Sequence, residues 1–315
     1  MNTFLLSVVI PVFNEEKNID PLFKRLLPII QKYNYEIIFV DDGSNDDTSK
    51  EIKIQAKNNN CIKLITFLRN FGHQMALTCA YTYAKGDCIL SLDSDLQDPP
   101  EIIPEMIEKW KDGKQVVYAK RKKRNVDGFF KKKTACLFYK FINMLSDTPI
   151  PKDVGDYRLL DKKVVFFLNK LPEHSRFLRG LVSWGGFSTD YVTFEREKRH
   201  SGETHYTFSK MLNFALEGIT SFSIKPLRLA IFFGFTTGLI GFLGIIYAII
   251  GKFFYSQNFI VGWTGLFVGI MFIGGVQLIT IGIIGEYIGK IYKEIQNRPK
   301  YLIKEKMHIS RKLFF

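Results

Sequence analysis

Short apolar runs alternate with amphipathic stretches along the first 120 residues of this 315-residue chain. The apolar runs are rich in Val and Ile, which is typical of strands buried on both faces of a parallel sheet. Their regular alternation with helical segments predicts an α/β domain, with helices on both faces of a mostly parallel, Rossmann-like sheet. The predicted strands lie near residues 6–12, 35–40, 62–67, 88–92 and 115–119, and the predicted helices near residues 17–32, 46–58, 73–85 and 100–112.

Two much longer uncharged stretches follow in the C-terminal third of the chain. Arg228 and Lys252 bracket 23 uncharged residues, and the second stretch has its most apolar part near residues 263–285. Each exceeds the about 20 residues that a helix needs to cross a bilayer. A hairpin buried in a protein core is the alternative, and the length of the stretches disfavours it. The sequence therefore predicts two transmembrane helices, near residues 229–251 and 263–285.

The basic residues around these two helices predict their orientation. Lysines and arginines precede the first helix and follow the second, whereas Lys252 is the only one in the loop between them. Because basic flanks stay inside, both termini and the N-terminal domain are predicted to be cytoplasmic, in a multi-pass protein of the cytoplasmic membrane. Glycines recur in both helices, which favours close packing in lipid and allows a homo-oligomer formed through the membrane helices.

Two further segments carry a helical stripe of apolar residues, near residues 129–146 and 207–227. The first overlaps a basic stretch at residues 120–133 that holds eight Lys or Arg and one acid, and the second directly precedes the first membrane helix. These surroundings favour the bilayer surface as the partner of both stripes. With a formal net charge of +13, membrane lipid is the predicted partner rather than nucleic acid, since no nucleic-acid-binding module is present. A solvated charged face is the alternative for individual lysines.

Acidic residues follow two of the predicted strands. Asp41 and Asp42 come directly after the second strand, and Asp93 and Asp95 come after the fourth. Open α/β sheets bind ligands at the carboxyl ends of their strands, so two acidic clusters at one edge disfavour a simple solvated turn. A calcium loop is excluded because the sixth position counted from Asp93 is Asp98 rather than Gly. The pattern favours a site for a divalent metal and a diphosphate. No Gly-x-Gly-x-x-Gly follows the first strand, so a dinucleotide cofactor is not indicated.

Six motifs are spread along the chain: "SVVIPVFNEEKNI", "VDDGSNDDT", "RNFGHQMAL", "LDSDLQDPPE", "VGDYRLLDKKVV" and "RHSGETHY". They resemble the family 2 glycosyltransferases that act on polyprenyl phosphates, and the likeness extends to the bactoprenol (undecaprenyl-phosphate) glucosyltransferases. The resemblance implies a GT-A catalytic domain that transfers a hexose to undecaprenyl phosphate with inversion, with UDP-glucose as the expected donor. Dolichol-phosphate mannose synthases and aminoarabinose transferases share the catalytic motifs, so GDP-mannose and a UDP-amino sugar stay open as donors.

The resemblance also implies the roles of individual residues. Asp93, Asp95 and Gln97 would hold a metal and the donor diphosphate, and their oxygen ligands suit Mg2+ or Mn2+. Asp156 matches the position usually proposed as catalytic base. A phosphate acceptor with a second pKa of about 6 is already largely ionised, so Asp156 could instead orient the substrates or stabilise positive charge at the anomeric carbon. The other implied contacts are Pro11, Phe13, Glu15, Asp42 and Ser94 for the donor nucleotide and its phosphates, and Arg121, Arg199 and His205 for the sugar diphosphate or the acceptor, with Asp95 and Arg199 also counted as catalytic.

The chain is thus predicted to have four segments. They are a GT-A domain at residues 1–206, an interfacial helix at 207–227, a membrane hairpin at 228–286 and a basic cytoplasmic tail at 287–315. A non-catalytic, membrane-anchored scaffold of GT-A shape is one alternative, and loss of the metal carboxylates would have signalled it. A processive polysaccharide synthase is another, but such enzymes typically carry a Gln-x-x-Arg-Trp motif and more membrane spans.

Overall fold

The computed structural model describes residues 4–57, 59–122, 154–174, 176–195, 223–254 and 263–309. Arg199, His205, the predicted helix at residues 129–146 and most of the one at 207–227 lie outside these ranges. The chain forms two compact units, of which the second includes Leu212–Asn297 and interrupts the first. The first unit resumes after the two long apolar helices.

An eight-stranded sheet forms the centre of the first unit, counted over the described residues. Its order is β7-β5-β6-β4-β1-β2-β3-β8, and β6 and β8 run antiparallel to the other six strands. The strands are β1 Leu5–Val12, β2 Asn34–Asp41, β3 Ile62–Phe67, β4 Cys88–Ser91, β5 Val116–Arg121, β6 Val154–Asp161, β7 Thr189–Phe194 and β8 Ile303–Met307. The helices of this unit are α1 Glu16–Ile30, α2 Thr48–Ala56, α3 His73–Tyr83, α4 Ile103–Lys111, α5 Lys162–Lys170 and α6 Leu178–Trp184, with a 3-10 turn at Pro100–Ile102.

The predicted alternation of strands and helices over the first 120 residues is confirmed, and so is the mostly parallel sheet. One feature of the sheet was not predicted. β6 lies between β4 and β5 and runs antiparallel to both. An antiparallel strand begins at the edge where its parallel neighbours end. Residues at the start of β6 therefore lie at the same edge of the sheet as the residues that follow β1, β2 and β4.

Helices cover both faces of the sheet. α1, α2 and α4 pack against Leu6, Val8 and Ile10 of β1 and the equivalent positions of other strands, whereas α3, α5 and α6 cover the opposite face. Each large apolar side chain that is fully buried contributes about 1.5–3 kcal/mol, so the two core layers hold the strand ends firmly in register. The buried stripe of α1 shows the helical spacing that the sequence pattern indicated: Ile19, Leu22, Phe23, Leu26 and Ile30.

The loops at the carboxyl edge of the sheet pack closely against one another. Gly43, in the loop after β2, has a φ of +76°, and a Cβ there would lie 2.6 Å from the backbone carbon of Arg69 in the loop after β3. The N–H of Asn14, in the loop after β1, donates to Oγ of Ser44 at 2.9 Å. The loops after β1, β2 and β3 are therefore in direct contact along this edge of the sheet.

The segment predicted as a basic tail contains β8, which pairs with the outer edge of β3. Tyr301, just before β8, stacks on Phe67 of β3 with ring centroids 5.1 Å apart. Lys53 of α2 and Glu305 form an ion pair of 2.6 Å. Ile303–Met307 carries three charged residues, a composition that suits both a solvated tail and an exposed edge strand. The sequence pattern therefore gave no clear sign of this strand.

The second unit contains two long helices, α7 Lys225–Phe254 and α8 Trp263–Ile295. Both are long and apolar enough to cross a membrane, and almost none of the apolar stretch of either helix is buried. Within this unit the hydroxyl of Tyr287 donates to the carbonyl oxygen of Ser223 at 2.6 Å. The exposed apolar surface does not fit the alternative of a hairpin buried in a protein core.

Replacing Gly43 by Ala is expected to destabilise the first unit more than the same change at Gly113. Both glycines have positive φ, +76° and +92°, which costs an L residue about 1–2 kcal/mol. A Cβ at Gly113 would meet no atom within 4 Å, whereas one at Gly43 would clash with the backbone of Arg69. Thermal unfolding in detergent should show the larger drop in Tm for Gly43→Ala, and equal drops would contradict the close loop packing.

Candidate active site

The strand order of the sheet reverses at β1, which is a topological switch point. β2 and β3 follow on one side of β1, while β4 lies on the other side. Open α/β sheets bind their ligands in the crevice at such a switch point, outside the carboxyl ends of the strands. Phe13 and Glu15 lie in the loop after β1, and Asp93 and Asp95 lie in the loop after β4. The acidic residues found in the sequence therefore border the crevice.

Asp42 is fixed by the main chain of the loop after β3. The N–H groups of Phe71 and Gly72 donate to its two carboxylate oxygens at 2.7 and 2.8 Å. Burial raises the pKa of Asp42, and these two N–H groups counteract the rise because they favour the charged form. Asp41 accepts hydrogen bonds from the amide and the hydroxyl of Ser44 at 2.9 and 2.6 Å. Asp42 thus joins the loop after β2 to the loop that leads into α3.

Asp93 and Asp95 lie in a sharp turn after β4. The residue after Asp95 is Leu96, whose φ of +60° is left-handed, and the N–H of Gln97 donates to Oδ1 of Asp95 at 3.1 Å. Burial raises the pKa of Asp93, and the negative charges of Asp156 and Asp95 add to the rise. A bound cation would relieve this crowding of carboxylates.

Asp156, near the start of β6, is surrounded by donors from three elements. Arg179 of α6 donates twice, from Nε to Oδ1 at 3.2 Å and from Nη2 to Oδ2 at 2.9 Å. On α3, Nε2 of His73 lies 3.3 Å from Oδ2, and Nε2 of Gln74 donates to the same oxygen at 3.3 Å. Arg158 of β6 places Nη2 3.5 Å from Oδ1. The carboxylate is therefore enclosed by hydrogen-bond donors and positive charge.

These contacts control the charge of the site. Burial alone would raise the pKa of Asp156, but Arg179, His73 and Arg158 hold that pKa well below its usual range. Nε2 of His73 also lies 3.9 Å from Oδ1 of Asp93. Burial lowers the pKa of His73, yet the contact with Asp156 and the charge of Asp93 outweigh it and raise the pKa. The imidazole thus connects the carboxylate after β4 to the carboxylate at the start of β6.

The matching family model covers the strands that carry these carboxylates. Described as Glycosyl transferase family 2, it matches residues 7–166. The chain belongs to glycosyl transferase family 2. It is therefore a glycosyltransferase, and its mixed, mostly parallel sheet is the GT-A fold that the sequence analysis predicted.

Relatives of this glycosyltransferase align over nearly their whole length. It is 44% identical over 302 residues to the bactoprenol glucosyl transferase of Shigella phage SfII, covering 95% of this chain and 97% of the phage protein. It is also 44% identical over 311 residues to an uncharacterised glycosyltransferase of Bacillus subtilis, covering 98% of this chain and 96% of that protein. The likeness to both therefore extends to the C-terminal helices.

One solved structure that resembles the chain is glucosyl-3-phosphoglycerate synthase from Mycobacterium tuberculosis in complex with Mn2+, UDP-glucose and phosphoglyceric acid. The TM-score is 0.46 at 17% sequence identity, and the match covers 69% of this chain and 78% of that chain.

The structure places most of the predicted site residues at this edge, while their roles stay predictions. Phe13 is exposed to solvent in the loop after β1. Arg121, the last residue of β5, forms an ion pair of 3.6 Å with Asp98. Arg199 and His205 lie outside the described residues. The predicted residues at the ends of β1, β2 and β4 or in the loops after them are Pro11, Phe13, Glu15, Asp42, Asp93, Ser94, Asp95 and Gln97.

Four residues of the site were not assigned from the sequence: His73, Gln74, Arg158 and Arg179. His73 and Gln74 start the helix that follows β3, and a helix that follows a parallel strand begins at the carboxyl edge of the sheet. The position of His73 and Gln74 at the start of this helix could therefore have predicted that both lie at the site. Arg179 gave no such signal, because it is 23 residues from Asp156 in sequence and reaches it only when α6 packs against the sheet.

Replacing Asp42 by Ala is expected to release the loop after β3. The amides of Phe71 and Gly72 would lose their acceptors, and a donor left unsatisfied costs about 1–3 kcal/mol. Hydrogen exchange followed by mass spectrometry should become faster in the peptide at residues 68–75. Asp20→Ala, which removes a surface carboxylate of α1, is the control. Equal exchange of that peptide in the wild type and in Asp42→Ala would contradict the role given to the carboxylate.

Proposed function

We propose that the enzyme transfers glucose from UDP-glucose to undecaprenyl phosphate at the cytoplasmic face of the membrane, giving a lipid-linked sugar donor for surface glycan modification. One observation carries the proposal: Asp93 lies beside the cluster of His73, Asp156 and Arg179 at one sheet edge. That edge combines oxygen ligands for a cation with side chains that attract phosphate. The similarity to a phage protein named bactoprenol glucosyl transferase, over 97% of its length, supports a lipid acceptor and a glucosyl donor.

The proposed reaction is a displacement at the anomeric carbon of the sugar. The bond from this carbon to the diphosphate oxygen of the donor breaks, and an oxygen of the acceptor phosphate forms the new bond while UDP leaves. The second pKa of a phosphate monoester is about 6, so near neutrality the acceptor brings an ionised oxygen and no proton has to be removed. In-line attack inverts the anomeric centre and converts an α-linked donor into a β-linked lipid phosphate sugar.

Asp93, Asp95 and Gln97 are the residues that would hold a divalent cation. Their oxygen atoms suit Mg2+ or Mn2+, and the crowding of Asp93 with neighbouring carboxylates fits a site that a cation stabilises. In the described part of the chain, no group of three His, Cys, Asp or Glu side chains is placed to hold a metal, so donor phosphate oxygens and water would complete the coordination. A bound cation would neutralise the charge that develops on the departing UDP.

α7 and α8 would anchor the enzyme in the cytoplasmic membrane. The chain leaves the first unit before α7, and β8 belongs to the sheet of that unit again. A chain that returns to the same folded unit must cross the membrane an even number of times, which supports a hairpin of two spans. The basic residues that flank the hairpin support the cytoplasm as the side on which the catalytic unit and both termini lie.

The alternative is the same transfer from another donor, such as GDP-mannose or a UDP-amino sugar. A screen of nucleotide sugars with undecaprenyl phosphate, followed as release of UDP or GDP and formation of the lipid-linked sugar, separates these donors. UDP-glucose is expected to be the productive donor. Transfer from a different nucleotide sugar alone would replace glucose in the proposal, and no transfer from any donor would overturn it.

Replacing Asp95 by Ala is expected to lower the transfer rate about 100-fold or more. The loss of a metal ligand removes several kcal/mol of stabilisation from the departing diphosphate, and each 1.36 kcal/mol corresponds to a factor of ten. Asp112→Ala, at an exposed position after α4, is the matched control and should keep full activity. A near-native rate for Asp95→Ala at saturating Mg2+ or Mn2+ would rule out the metal role.

Cysteine labelling in intact cells checks the proposed topology. In a background in which Cys61, which is exposed, and Cys136 are replaced by Ser, a membrane-impermeant maleimide should label Gln257→Cys from outside. The same reagent should label Lys304→Cys, on β8, only after lysis, because the hairpin places both of its ends in the cytoplasm. The reverse pattern would refute the proposed orientation.

A further inference from the structure

Asp156 is covered by the basic side chains around it. Its side chain is only 4% exposed, whereas that of Arg179 is 30% exposed and that of His73 is 42% exposed. Arg158, whose Nη2 lies 3.5 Å from Oδ1 of Asp156, is completely buried. A substrate that reaches this part of the crevice therefore meets the guanidinium of Arg179 and the imidazole of His73 before it meets the carboxylate.

This arrangement does not suit Asp156 for proton abstraction. A general base must come within about 2.6–3.2 Å of the group it deprotonates, but both oxygens of Asp156 already face donors of Arg179, Gln74 and Arg158. The low pKa of Asp156 makes it a weak proton acceptor as well. Two parallel hydrogen bonds instead fix the guanidinium of Arg179 in one orientation.

The charge balance around Asp156 favours an anion. Arg158 and Arg179 both approach this single carboxylate, at 3.5 and 2.9 Å. At Asp156 itself, two positive charges face one negative charge. The carboxylate of Asp93 contacts the cluster through His73, at 3.9 Å from Nε2, so the excess of positive charge is local to Arg158 and Arg179. Because Arg158 is buried, salt and water screen its charge less than that of a surface residue.

We propose that Arg179, with His73 beside it, binds a phosphate group of the substrates, and that Asp156 is the positioning residue that holds Arg179 in place. The inference rests on the proposed function, which supplies two such groups: the phosphate of the acceptor and the diphosphate of the donor. Both present the same chemistry, and the planar guanidinium of arginine matches it by donating to two phosphate oxygens at once. The experiment distinguishes the two sources.

Binding measurements on the full chain in detergent test the inference without relying on turnover. Titration calorimetry with farnesyl phosphate and, separately, with UDP would be carried out for the wild type, Arg179→Gln, Asp156→Asn and the double variant. Arg179→Gln should weaken one of the ligands by about 10- to 100-fold, as expected for the loss of hydrogen bonds to a charged group. Asp156→Asn should weaken the same ligand, and the double variant should be no weaker than Arg179→Gln, because the two residues act as one unit.

Comparing the two ligands shows which substrate phosphate Arg179 binds, and which of the two proposals a negative result contradicts. A loss for farnesyl phosphate alone assigns Arg179 to the acceptor, and a loss for UDP alone assigns it to the donor. Unchanged binding of both ligands to Arg179→Gln overturns the inference while leaving the proposed function in place. Unchanged binding to Asp156→Asn with transfer abolished would show that the carboxylate acts in the chemistry itself. A wild-type protein that binds neither ligand would overturn the proposed function and the inference together.

A matched ion pair elsewhere on the unit provides the control. Arg25 donates to Glu101 from Nε and Nη2 at 3.1 and 2.9 Å at an exposed position. Arg25→Gln and Glu101→Gln should therefore leave both affinities unchanged. If Arg179→Gln proves unfolded by its thermal transition, Arg179→Lys keeps the charge without the planar fork. It should weaken the same ligand, and native affinity in that variant would overturn the inference.

Discussion

The collection of negative charge at one edge of the sheet is the constraint on which the site depends. A carboxylate that is buried without a partner costs several kcal/mol, so each one at this edge needs its own means of neutralisation. Main-chain N–H groups of the loop after β3 serve Asp42, and two guanidiniums with an imidazole serve Asp156. Asp93, crowded by Asp95 and Asp156, is the carboxylate suited to a cation. The loop after β3, the start of α3 and α6 supply the groups that neutralise these carboxylates.

Local pattern was enough to predict the framework of the site. Apolar runs with helical segments between them indicated the strands, and the carboxyl ends of parallel strands meet at one edge whatever their order across the sheet. Asp42 and Asp93 could therefore be placed together from the sequence. The order of the strands could not be predicted, because no local pattern specifies which strand pairs with which. The entry of β6 between β4 and β5 brings Asp156 beside Asp93, and only long-range packing produces that neighbourhood.

The family resemblance supplied Asp156 but not the side chains that decide what it can do. Its chemistry depends on Arg179, which lies on a helix of only seven residues, and on Arg158, which follows Asp156 by two residues on the same face of β6 and was not assigned from the sequence. The strand β8 was not predicted for a related reason, since its charged residues are as typical of a solvated tail as of an edge strand. For Arg179 and for β8, the missing information was the identity of a partner that is distant in sequence.

The position of β8 has a consequence for the biogenesis of the protein. β8 follows both apolar helices in the chain and is the last strand of the sheet to be synthesised. Until it leaves the ribosome, β3 presents unpaired N–H and C=O groups along an open edge, which is a hazard for aggregation. The first unit can complete its sheet only after α7 and α8 have been translated. Completion of the sheet is thereby coupled in time to the synthesis of both apolar helices.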